Sequence, residues 1–87
     1  MTDTLIKLIG TDGEVKKITC VGKPVLKQLQ KLVGGFIEVV RVPGASMILV
    51  VNEEGLLHQM PLNEKASALA QQPIVGPALL MMDGDLD

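Results

Sequence analysis

Apolar residues occur in short stretches separated by glycine and proline, and their spacing changes along the chain. Residues 4–9 (TLIKLI) and 14–20 (EVKKITC) read as two strands. They are joined at Gly10-Thr11-Asp12-Gly13, where the Asp-Gly pair tolerates the positive φ of a tight hairpin. From 24 to 33 the period becomes helical. Val25, Leu26, Leu29, Leu32 and Val33 recur on one side, and Lys27, Gln28 and Lys31 lie opposite. Pro24 suits the first turn, Gly34 a left-handed cap, and Gly35 a stop to any resumption of the helix.

Residues 36–42 (FIEVVRV) and 47–51 (MILVV) are the strongest strand signals, with Pro43-Gly44 between them in the arrangement of a type II turn. Asn52-Glu53-Glu54-Gly55 reads as a type I turn ending in a left-handed glycine, and residues 56–60 as a short extended piece. Asn63 is placed to cap a helix running through Ala70, with Glu64 in the first turn where the helix dipole favours a negative charge. Residues 74–82 (IVGPALLMM) form a last strand, its Gly76-Pro77 marking a bulge or an edge. The order β-β-α-β-β-(β)-α-β predicts an α+β domain with a mostly antiparallel sheet over residues 1–82. Residues 83–87 follow as a flexible acidic tail.

MILVV and much of FIEVVRV are apolar on both strand faces, the pattern of strands covered on both sides. Two short helices cover little more than one face of such a sheet. The remaining apolar surface is therefore expected to be hidden in a homo-oligomer, a dimer or higher. At 87 residues the chain holds one core, of the marginal size that partners often support. Cys20, the one cysteine, makes no internal disulfide and suits a reducing compartment. No run reaches the roughly 20 apolar residues of a membrane span, and no signal peptide is evident, so a cytoplasmic protein with no membrane partner is expected.

The net charge is −2 and Phe36 is the sole aromatic residue. Nucleic-acid binders need a basic face or stacking aromatics, so the composition argues against nucleic acid as a partner. Phosphate-loop, nucleophile-elbow, dinucleotide and zinc-protease motifs are missing, and no catalytic residue, metal site or cofactor is expected. A Cys20–His58 nucleophile pair competes with a buried thiol and an exposed imidazole near a turn. The Gly34-Gly35 amides could cradle an anion, or simply end a helix.

Four residues remain as ligand-binding candidates: Glu38, Arg41, Asn52 and Asn63. Glu38 shares a strand face with Phe36, Val40 and Val42, which suits a ligand or partner contact, or else an edge position or ion pair. Arg41, on the opposite face, can bind a phosphate or carboxylate bidentately, or extend to solvent at a subunit boundary.

Val33-Gly34-Gly35-Phe36-Ile37-Glu38-Val39-Val40, Asn52-Glu53-Glu54-Gly55, Pro61-Leu62-Asn63, Ala66 with Ala68, and Ile74-Val75-Gly76 together carry a resemblance. From about 26 to 82 the chain resembles the family catalogued as domain of unknown function 3846, found in phages, plasmids and actinobacterial genomes. The family usually has tyrosine or a similar aromatic after the double glycine, here Phe36, and often a basic or small residue where this chain has Leu57 and His58. The resemblance implies a phage or mobile-element context and brings no catalytic residues with it. The function it suggests is a small non-enzymatic binding protein, an oligomeric anti-defence factor that sequesters a small anionic, nucleotide-like signal at subunit interfaces. The alternative is an inhibitor or assembly factor acting on a host protein.

Overall fold

A computed structural model describes residues 3–86. Five strands form one sheet: β1 (Asp3–Ile9), β2 (Val15–Val21), β3 (Ile37–Arg41), β4 (Met47–Asn52) and β5 (Ala78–Met82), in the spatial order β2-β1-β5-β4-β3. Every neighbouring pair is antiparallel. With helices α1 (Leu26–Val33) and α2 (Glu64–Ala70), this is the α+β domain that the pattern predicts. No helix among the described residues is long and apolar enough to cross a membrane.

The two helices lie on opposite faces. On one, α1 sets Leu29 and Val33 against Ile6, Cys20, Ile48, Val50, Leu79 and Met81. On the other, α2 sets Ala66 and Ala70 against Ile9, Leu49, Val51 and Ala78. β4 is therefore covered on both faces, as its unbroken apolar run requires: Ile48 through Asn52 are all buried.

The turns follow local chemistry at several places. Gly34 takes φ 85° and its N–H donates to Gln30 O, ending α1. Gly44 takes φ 76°, with the Ala45 N–H donating to Val42 O across the turn.

Elsewhere tertiary contacts override the local signals. α1 starts at Leu26, with Pro24 before its extended N-cap Val25. Residues 56–60 are not extended. The loop curls on itself, with the Met60 N–H donating to Gly55 O, and it leaves Leu56 and Leu57 exposed. Gly55 is not left-handed. It is glycine because a Cβ there would lie 2.8 Å from Val75 Cγ2. Gly35 likewise makes room, since its Cβ would lie 3.0 Å from Asn52 Nδ2.

The last strand begins at Ala78 and occupies the centre of the sheet, so Gly76-Pro77 marks its entry and not an edge. Residues 83–86, expected to be flexible, are tied down. Asp83–Asp85 form a single 3-10 turn, the Asp83 N–H donates to Ser46 O, and Leu86 packs on the α1-side core. Asp87 lies outside the described residues.

Candidate functional site

Asn52 and Asn63, two of the four candidates, are buried and hold the fold together. Asn52 ends β4 on the α1 side. Its Nδ2 donates to Val33 O at 3.1 Å, and its Oδ1 accepts from the Glu54 N–H at 2.7 Å. Asn63 caps α2, accepting from the Ala66 N–H at 3.1 Å. Its Nδ2 donates to Ile9 O and Gly76 O, both at 2.9 Å. One amide thus joins a helix terminus, the end of β1 and the entry to β5.

The other two candidates sit on opposite faces of edge strand β3. Arg41 is on the α1 side, its Nη2 2.6 Å from Asp83 Oδ2 in an exposed ion pair. Glu38 is exposed on the α2 side, opposite Val51 in the register. It borders a cleft of about 220 Å³ together with Asn52, Glu53, Gly55 and Ile74. Glu38 and Asn52 are therefore brought together, while Arg41 and Asn63 lie elsewhere. Two carboxylates and no basic side chain line that cleft, so its field repels an anion.

Cys20 is buried in the α1-side core, whereas His58 is exposed in the 53–59 loop, 3.8 Å from Glu54 Oε1. The Gly34 and Gly35 amides both donate to Gln30 O, so the double glycine ends a helix and offers no anion cradle. Among the described residues, no three His, Cys, Asp or Glu side chains group as metal ligands.

The site that sequence reasoning did not locate is an open apolar groove on the α2 side of the sheet. The register lays this face out in rows. Val15, Ile9, Ala78, Val51 and Glu38 form one, and Lys17, Lys7, Leu80, Leu49 and Val40 the next. Beyond these lie Leu5, Met82 and Met47. α2 has seven residues, about 10 Å of helix at ~1.5 Å per residue, and covers the first row only in part.

What α2 leaves open is a cleft of about 450 Å³ lined by Ile9, Val15, Leu69 and Leu80, with Lys7 and Lys65 at its rim. Through Lys7 and Leu80 it continues into a second cleft of about 350 Å³, where Leu5, Met47 and Met82 meet Asp3 and Asp85. Leu5, Val15 and Met82 are each close to half exposed. The signal was present in TLIKLI, whose alternation sets Leu5, Lys7 and Ile9 on one face. What pattern could not supply was which face each helix would cover.

A family model described as Domain of unknown function (DUF3846) matches residues 5–87. No curated protein and no solved structure matches the chain.

Proposed function

The chain belongs to the family described as Domain of unknown function (DUF3846), and from that premise we propose that it is a binding protein that engages a partner through the apolar sheet face beside α2. The observation that carries this reading is the uncovered groove. Where α1 buries Ile6, Leu79 and Met81 on one side of the central strands, the other side exposes Leu5, Val15 and Met82, a patch of the kind that marks an interaction surface. Met47 and Met82 add side chains that adapt to a partner's shape. We read the protein as an accessory factor of phage or mobile-element type that works by occupying another molecule's surface.

Sequestration of an anionic nucleotide has less support. It needs Glu38, Arg41, Asn52 and Asn63 to converge, but both asparagines are engaged within the fold and Arg41 is paired with Asp83.

A photo-crosslinking residue placed at Leu5 or Met82, and at exposed Lys31 on α1 as a control, tests the reading in cells. Discrete crosslinked species from the sheet face but not from Lys31 are expected. Equal or absent crosslinking at the two faces would refute it. Saturable heat on titrating cyclic nucleotides, unchanged by Leu5→Lys, would favour the nucleotide pocket instead.

A further inference from the structure

Resting on the binding reading above, we infer that the partner covering this face is a second copy of the chain. The two copies dock face to face about a two-fold axis that sets their β1 strands antiparallel. Along β1 the groove changes sign. Lys65 stands at the α2 end, Lys7 and its register partner Lys17 lie between there and the middle where the two clefts meet, and Asp3 and Asp85 stand at the other end.

A surface that is basic at one end and acidic at the other complements itself under a two-fold that reverses the strand direction. Each lysine end then lies over the carboxylate end of the other copy. A two-fold contact must be self-complementary, and this groove satisfies that in charge as well as in apolar character. The parallel arrangement would set lysine on lysine and is disfavoured by repulsion. Acidic or basic partners of a single sign would match only half of the groove.

Association through the sheet edges is disfavoured. Edge strand β2 carries Lys16 and Lys17, and edge strand β3 carries Glu38 and Arg41, charges of the kind that block strand-to-strand pairing. A standard interface buries about 800 Å² per partner, a sizeable part of this chain's 5459 Å². Because opposite charges meet across the interface, the dimer is expected to weaken as salt rises.

Sedimentation equilibrium of the full chain over a concentration series tests this. The expected result is a reversible dimer that Leu5→Lys converts to monomer, with the melting curve the wild type shows when diluted to monomer, since Leu5 is 48% exposed within one copy. The double variants Asp3→Lys/Asp85→Lys and Lys17→Glu/Lys65→Glu should each self-associate about tenfold more weakly, and their mixture should recover a heterodimer. A wild-type monomer throughout the series overturns the inference. So does a dimer indifferent to Leu5→Lys, or charge-reversed variants that pair with themselves as well as with each other. If the wild type is monomeric while the photo-crosslinks capture a different protein, the self-association inference fails and the binding reading stands. If neither association appears, both fall.

Discussion

Replacing Asn63 by alanine removes three hydrogen bonds from a position with no solvent access. The lost N-cap costs about 1 kcal/mol. Ile9 O and Gly76 O lose the amide that binds them in a site closed to water, at about 1 kcal/mol or more each. A loss of roughly 3–4 kcal/mol is therefore expected, from a total that for a domain of this size is on the order of 4–13 kcal/mol. Serine separates the two contributions, because its hydroxyl can cap the helix but is too short to span both carbonyls. Asn63→Ser should recover about 1 kcal/mol relative to alanine. Asn63→Asp keeps the cap acceptor but turns a carboxylate toward two carbonyl oxygens, and should be no better than alanine. Urea unfolding measures the series, with midpoints shifting at constant slope. If serine restores wild-type stability, the bonds to Ile9 and Gly76 contribute nothing and the reasoning is wrong.

Gly55→Ala should destabilise by about 1–3 kcal/mol, since its Cβ meets Val75 Cγ2 at 2.8 Å, and adding Val75→Ala should recover part of that loss in a double-mutant cycle. Recovery of none would place the strain in the backbone, at the Val75 carbonyl 3.3 Å away. Leu49→Ala, at a fully buried position in the central sheet, should cost about 2–5 kcal/mol in the same urea assay. Arg41→Ala removes an ion pair whose side chains are 69% and 45% exposed, and should change stability by less than about 1 kcal/mol, with the difference fading in added salt.

Much of the secondary structure was legible because its causes are local. Positive φ at Gly13, Gly34 and Gly44, and the Asn63 cap, all lie within a few residues of what they control. What stayed illegible depended on residues far apart in sequence. Gly35 and Gly55 look like turn residues, yet both are explained by side chains at 52 and 75. Residues 56–60 are apolar enough to suggest a strand but find no neighbour to pair with. Among the site candidates, Asn63 has the sequence context of a cap, and its side-chain amide is equally suited to a ligand. Only the distances to Ile9 O and Gly76 O show that its donors are engaged inside the fold. The groove went unlocated for a related reason. Apolar residues on both faces of a strand announce that something covers them, but the placement of α1 and α2 on opposite faces is set by chain connectivity and packing, which alternation alone does not encode.

The position of β5 bears on how the protein is made. β1 and β2 form one hairpin, β3 and β4 another, and each is local enough to close early. The two hairpins are joined into a sheet only by β5, which comes last in sequence and sits between them. On the ribosome, the five-stranded sheet cannot close until residues 78–82 leave the exit tunnel, whatever cover α1 gives beforehand. Commitment to the native state should then come late and in one step. Pulse-labelling hydrogen exchange on stalled chains would show it as simultaneous protection of β1, β4 and β5 once the final strand is free.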